Sequence, residues 1–135
     1  MNLNQFNQYR RDYNRIPLVR EVFADLDTPL SAYLKLADEP YTYLFESVQG
    51  GEKWGRYSII GMACNTRIKV YGRHVQLEVD GEIRSDEECE DPLEFIESYL
   101  GEFRVAGADC LPKFHGGLVG YFGYDTIRYI EPKLA

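Results

Sequence analysis

Positive charge is scarce in this sequence. Its 135 residues include 15 Lys and Arg against 22 Asp and Glu, which gives a formal net charge of −7. A nucleic-acid-binding protein needs a basic face for the phosphates, and a protein on an anionic membrane needs one for the headgroups. The charge balance therefore argues against both nucleic acid and anionic membranes as partners.

Cysteine, histidine and long apolar runs are scarce as well. No apolar run approaches the ~20 residues that span a bilayer, and the first residues lack the apolar core of a signal peptide. The cysteines are odd in number and far apart, no C-x-x-C motif is present, and the histidines lie near none of them in sequence: Cys64, Cys89, Cys110, His74 and His115. This usage predicts neither a disulfide framework nor a metal site, and it favours a reducing cytoplasm.

The remaining composition is that of a globular protein, with 44% hydrophobic residues. A chain of this length buries roughly 65–70% of its unfolded surface, so we expect one domain with its own core. No repeat, linker or low-complexity segment marks an internal boundary.

Helix signals occur at three places. Thr28 followed by Pro29 is an N-cap with proline at the first helical position, and Asp91-Pro92 with Glu94 has the pattern of a capping box. The predicted helices are a short polar one over 4–13 and two with apolar stripes, about Pro29–Leu36 and Pro92–Glu102. The acidic run 86–91 precedes the last of these and is interpreted as a solvated segment that complements its dipole.

Strand signals dominate the rest of the chain. Residues 66–84 alternate apolar and polar side chains around Gly72-Arg73 and Asp80-Gly81, which predicts an antiparallel three-stranded meander. Further strands are predicted at Pro17–Ala24, at Tyr41–Val48 and Arg56–Ile60 around a loop at Gln49–Gly55, and through Phe122, before a helical turn at Asp125–Tyr129. The fold class predicted is α+β, a mainly antiparallel sheet with flanking helices.

No catalytic constellation is evident. The segment Gly50–Tyr57 has the outer glycines of a phosphate-binding loop, but Arg56 and Tyr57 stand where such a loop needs Lys and Ser or Thr. The glycines at 117, 120 and 123 do not form a dinucleotide-binding motif and are interpreted as positions of close backbone packing. No residue is assigned a catalytic role.

Glu46 and Ser47 stand out because they interrupt an apolar strand. Alternation puts Phe45 and Ser47 on one face and Glu46 on the other, and both faces are otherwise apolar, so the strand is expected to be buried on both sides. Two interpretations stay open at this point. The two polar residues lie at a frayed strand end, or they line a pocket for a ligand with ammonium and carboxylate groups.

Five segments in order resemble the N-terminal domain of anthranilate synthase component I. They are Pro17–Glu21, Asp27–Tyr33, Leu44–Val48, Gly55–Gly61 and Gly116–Asp125. In that family a Leu-Leu-Glu-Ser motif helps to form the tryptophan feedback site, and it reads Leu44-Phe45-Glu46-Ser47 here. The resemblance implies that Ser47 and Glu46 hold the polar groups of tryptophan, that Phe45 packs near the indole, and that Arg56, or alternatively Lys53, meets the carboxylate. Glu46 and Ser47 then need a bulge between them, or Glu46 contributes its backbone.

The resemblance also implies the reaction and the partners. The parent enzyme is a lyase that converts chorismate and ammonia into anthranilate and pyruvate, and a glutamine amidotransferase subunit, component II, supplies the ammonia. Its chorismate site and Mg²⁺ ligands belong to a C-terminal region, so residues 1–135 are expected to be an inactive, truncated regulatory domain with no cofactor of their own. The alternatives are aminodeoxychorismate synthase component I and a binding module without an enzymatic parent.

Overall fold

The computed structural model describes residues 2–46, 57–107, 109, 111–112 and 114–134. They belong to two compact units whose segments interleave along the chain. The first unit comprises Met1–Arg20, Val70–Val75 and Glu87–Ala135, and the second comprises Glu21–Lys69 and Gln76–Asp86. The predicted α+β class with mainly antiparallel sheet is confirmed.

A helix and a β-hairpin form much of the second unit. Helix α2 spans Pro29–Leu36 as predicted, because Thr28 Oγ1 accepts from the N–H of Ser31 and the Ser31 hydroxyl accepts from the N–H of Thr28. Strand β1 (Tyr43–Glu46) pairs antiparallel with β2 (Ser58–Gly61). Helix α2 contacts both strands, and the hydroxyls of Tyr33 and Thr42 lie 3.0 Å apart.

The predicted meander is present. Strands β3 (Thr66–Tyr71), β4 (His74–Val79) and β5 (Glu82–Glu88) form a sheet in that order. Both turns lie where they were predicted, and Asp80 and Gly81 have φ values of 55° and 83°, the positive pair that a type I′ turn requires. The acidic run is largely exposed, as interpreted, but its first three residues extend β5 beyond the predicted strand.

Helices dominate the first unit. Helix α1 spans Leu3–Asp12 and begins with a capping box between Asn2 and Gln5. Helix α3 spans Pro92–Gly101, and Asp91 caps it by accepting from the N–H groups of Leu93 and Glu94. The unit ends with a 3₁₀ turn at Tyr124–Thr126, helix α4 at Ile127–Ile130 and a 3₁₀ turn at Pro132–Leu134, so the predicted helical turn is confirmed.

The N-terminal segment of this unit is held beside the end of α3. The side-chain amide of Asn14 donates to the carbonyl of Glu102 at 2.6 Å, and its oxygen accepts from the N–H of Arg104 at 2.7 Å. The guanidinium of Arg15 lies 4.5 Å from the ring centroid of Phe103. These contacts tie the residues after α1 to those after α3.

Two predicted strands are wrong. Residues 17–24 have no regular structure, and Phe23 is 96% exposed. A parallel bridge joins Arg15 to Val105 just before this segment, but Pro17 has no N–H with which to continue it. Residues 117–122 also have no regular structure, because glycines weaken the segment and no described strand lies beside it.

The prediction that the chain forms its own hydrophobic core is also wrong for the described residues. The buried apolar side chains among them are Val75, Pro92 and Ala106, while large apolar side chains along much of the chain stay exposed. Burial of apolar surface is the main force that stabilises a folded domain. Much of the apolar surface of the described residues is therefore exposed.

The hairpin depends on a close contact between Tyr43 and Gly61. A methyl group at position 61 would overlap three carbons of the Tyr43 ring. We expect Gly61→Ala to lower the free energy of unfolding by about 1–3 kcal/mol in urea denaturation, the usual cost of overpacking. In a Tyr43→Ala background the same substitution should cost little, because the ring that it would displace is gone.

The matched control is Gly101→Ala at the end of α3, where the added methyl would meet nothing within 4 Å. That change should be neutral or stabilise by about 0.4–1 kcal/mol, since alanine restricts the unfolded chain. Equal effects of Gly61→Ala in both Tyr43 backgrounds would contradict the proposed contact.

Candidate functional site

The β1–β2 hairpin carries the candidate site. Its ladder pairs Tyr43 with Gly61, Leu44 with Ile60, Phe45 with Ile59 and Glu46 with Ser58. Glu46 and Ser58 are thus the last pair that the described residues show before the segment predicted to contact a ligand. Ser47, Lys53 and Arg56 lie outside the described residues, so their assignments stay predictions.

Phe45 and Tyr43 form an aromatic surface on one face of the hairpin. Their ring centroids lie 4.9 Å apart at an interplanar angle of 37°. Phe45 is 49% exposed and Glu46 is exposed too, so the prediction that this strand is buried on both sides is wrong at its C-terminal end. Each strand of this two-stranded hairpin has only one neighbouring strand in the described structure, and about half of Phe45 stays exposed beside Tyr43.

Glu46 points away from that aromatic surface. Successive residues of a strand project to opposite faces, and Glu46 shares its face with its ladder partner Ser58. Its carboxylate and the Phe45 ring therefore leave opposite sides of the hairpin. A small ligand that stacks on Phe45 would meet the backbone of Glu46 more readily than its side chain.

Helix α2 packs against this hairpin, and side-chain hydrogen bonds hold the N-terminus of the helix. Asp27 precedes the cap, and its carboxylate accepts from Lys35 Nζ at 2.6 Å and from the Ser31 hydroxyl at 2.9 Å. The Lys35 bond, aided by Ser31, lowers the pKa of the Asp27 carboxyl below 3.8. Because this pKa is lowered in the folded state, the contribution of Asp27 to stability is present at neutral pH and is lost as the pH falls through the lowered value.

A charged cluster in the second unit was not foreseen. The guanidinium of Arg67 pairs with Glu78, whose other carboxylate oxygen accepts from Lys69 Nζ at 2.7 Å. The same guanidinium stacks over the ring of Tyr41 at 4.0 Å from the centroid. Tyr41 has a positive φ of 66°, an unusual conformation for a tyrosine.

The turn between β3 and β4 could have indicated this cluster from the sequence. A two-residue turn at 72–73 sets Tyr71 opposite His74, and counting back along both strands sets Arg67 opposite Glu78. Opposite charges at directly paired positions stabilise a sheet. The stacking on Tyr41 could not be found in this way, because Tyr41 lies outside the strands.

A cleft of about 310 Å³ adjoins this cluster and is lined in part by Tyr41, Arg67, Glu39, Asp80 and Cys64. Its charges are mixed, and Arg67 is already paired with Glu78, so the lining selects neither anions nor cations. In the described part of the chain, no group of three or more His, Cys, Asp and Glu residues is placed to hold a metal ion. The arrangement is that of a structural cluster.

None of the described helices is long and apolar enough to cross a membrane. The chain is 55% identical to anthranilate synthase component 1 of Pseudomonas aeruginosa over 136 aligned positions, which cover 100% of the chain and 28% of that protein. The chain is a homologue of the N-terminal part of anthranilate synthase component 1.

Other anthranilate synthase component 1 proteins are also similar to the chain. The protein of Neisseria meningitidis is 55% identical over 92% of the chain, and that of Acetivibrio thermocellus is 42% identical over 96%. The chain spans about a quarter of the length of each, 25% and 26% respectively. No family model and no solved structure matches the chain. The resemblance drawn from the five sequence segments is thereby confirmed.

Proposed function

We propose that this chain is the regulatory N-terminal portion of the large subunit of an anthranilate synthase. The complete protein converts chorismate and glutamine-derived ammonia into anthranilate and pyruvate, and these residues form part of its tryptophan feedback site. The observation that carries this proposal is 55% identity over the whole chain to a protein named anthranilate synthase component 1.

The hairpin suits one end of a tryptophan molecule. The half-exposed ring of Phe45, packed beside Tyr43, offers an apolar surface on which an indole can stack. The ammonium group would be met by the backbone of Glu46 and by Ser47, and the carboxylate by Arg56, with Lys53 as the alternative. The contacts to Ser47, Arg56 and Lys53 rest on the family motif.

Chorismate chemistry is assigned to the remaining polypeptide. The described residues do not fit Mg²⁺, because no acidic cluster among them can hold a metal ion, and no step through the metal is assigned to this chain. A glutamine amidotransferase subunit, component II, would supply ammonia to the complete enzyme. Cys64 and Cys89 are free thiols, which suits the cytoplasm that we propose as its compartment.

Aminodeoxychorismate synthase component I is the related alternative. The relatives of the chain named here are all anthranilate synthase component 1 proteins, and this does not favour aminodeoxychorismate synthase. A binding module without an enzymatic parent is disfavoured for the same reason.

A product assay on the complete protein tests the proposal. With chorismate, ammonia and Mg²⁺ supplied, we expect fluorescent anthranilate to form and tryptophan to inhibit its formation. Aminodeoxychorismate as the product, or anthranilate formation that tryptophan leaves unchanged, would refute the assignment. A parallel assay with phenylalanine as inhibitor controls for a general effect of aromatic amino acids.

A further inference from the structure

Tyr41 has an unusual backbone conformation shortly before strand β1. Its φ is 66°, in the left-handed region that few residues other than glycine adopt. A side chain in this region persists only where its surroundings hold it there, and such residues are common beside ligand sites. Strand β1 begins at Tyr43 and carries Phe45 and Glu46, which belong to the proposed tryptophan site. The left-handed residue therefore lies at the entry to the strand that forms this site.

Arg67 holds the ring of Tyr41. Its guanidinium lies 4.0 Å from the ring centroid and pairs at the same time with the carboxylate of Glu78. Glu78 is buried, and the side chain of Arg67 is only 20% exposed. The Nε atom of Arg67 is buried as well and has no hydrogen-bond partner in the described part of the chain. The carboxylate and the tyrosine ring are therefore the contacts that fix this guanidinium.

Other side chains hold the next residues of the same segment. The hydroxyl of Thr42 lies 3.0 Å from that of Tyr33 on α2, and the ring of Tyr43 covers Gly61 on β2. The ring of Phe45, further along the strand, is half-exposed. A two-stranded hairpin is marginally stable by itself in water. Contacts at the start of β1 therefore have a large influence on how the strand presents Phe45.

The direction of the chain at Tyr41 decides this placement. Without a partner for its ring, a tyrosine favours the extended region over a positive φ. Such a change would redirect the chain as it enters β1. Even a shift of one residue in strand register would move Phe45 and Glu46 each to the opposite face. The stacking on Arg67 opposes both changes.

We propose that Arg67 is a positioning residue for inhibition by tryptophan. By stacking on Tyr41 it maintains the left-handed conformation there, which sets the direction of β1 and the placement of Phe45 and Glu46. Arg67 acts through Tyr41 and not by contact with the ligand. This inference rests on the proposed function, because it names a residue that prepares the tryptophan site for binding.

Tryptophan inhibition of the complete protein tests this role. Tyr41→Gly removes the ring, and glycine permits the positive φ without holding it. The inhibition constant for tryptophan should rise roughly 2- to 30-fold, the affinity equivalent of a cation–π contact. Arg67→Lys keeps a cation beside Glu78 but lacks the planar guanidinium, so it should raise the constant too. The double variant should show no more than the larger single effect, because both changes remove the same contact.

Two variants serve as matched controls. Tyr41→Phe retains the aromatic ring, and Lys69→Gln removes the other cation that pairs with Glu78 while leaving Arg67 on the ring. Both should give the inhibition constant of the wild type. Partial unfolding lowers the amount of active enzyme but not this constant, which is a property of the folded molecules. The constant thus separates positioning from a general loss of stability.

Wild-type inhibition constants in both Tyr41→Gly and Arg67→Lys would overturn the inference and leave the proposed function intact. Effects that multiply in the double variant would also overturn it, because the two residues would then act separately. A wild-type protein that forms anthranilate without any inhibition by tryptophan would refute the proposed regulatory function, and the positioning role with it.

Discussion

Replacing Ser47 with alanine in the complete protein should weaken inhibition by tryptophan roughly 10- to 150-fold, as expected for a lost hydrogen bond to a charged group. Such a bond contributes about 1.5–3 kcal/mol, and each 1.4 kcal/mol is about a factor of ten in affinity. Chorismate turnover without tryptophan should stay nearly unchanged, because the proposed site is regulatory.

The measurement is a tryptophan inhibition curve for the wild type and for Ser47→Ala, at equal chorismate concentration. Ser58→Ala is the matched control, since Ser58 belongs to the same hairpin but pairs with Glu46 on the face opposite Phe45. Its curve should overlay that of the wild type. If the Ser47→Ala curve also overlays it, Ser47 is a structural hydroxyl at the strand end and the motif does not bind tryptophan here.

Residues 1–135 alone should form no measurable anthranilate from chorismate with ammonia and Mg²⁺ supplied. The described residues hold no cluster for a metal ion, and the chain corresponds to 28% of the Pseudomonas aeruginosa protein. Catalysis of this kind places a substrate against several preorganised groups, and losing most of them removes most of the rate enhancement. The readout is anthranilate fluorescence over time.

The complete protein from the same preparation serves as the positive control for that assay. Tryptophan should bind residues 1–135 only weakly in calorimetry, because the rest of its site belongs to the remaining polypeptide. Turnover by residues 1–135 above the uncatalysed background would show that the catalytic groups lie within them and would contradict the division of roles proposed here.

The sequence by itself determined the elements whose signals are local. The caps at Thr28 and Asp91 predicted helices α2 and α3, and the turns at 72–73 and 80–81 predicted the three-stranded sheet. Each signal depends on residues within a few positions of one another, so no distant partner is needed to read it. The five family segments depend on the order of residues alone, and they too were confirmed.

Tertiary structure decided which apolar segments found partners. Residues 17–24 and 117–122 have strand-like composition, yet a strand exists only where a second backbone accepts and donates its hydrogen bonds. The exposure of Phe45 and the stacking of Arg67 on Tyr41 were equally beyond the sequence, because burial and packing are set by residues distant along the chain. Composition specifies what a segment is able to pair with, and only the assembled fold specifies whether the partner is there.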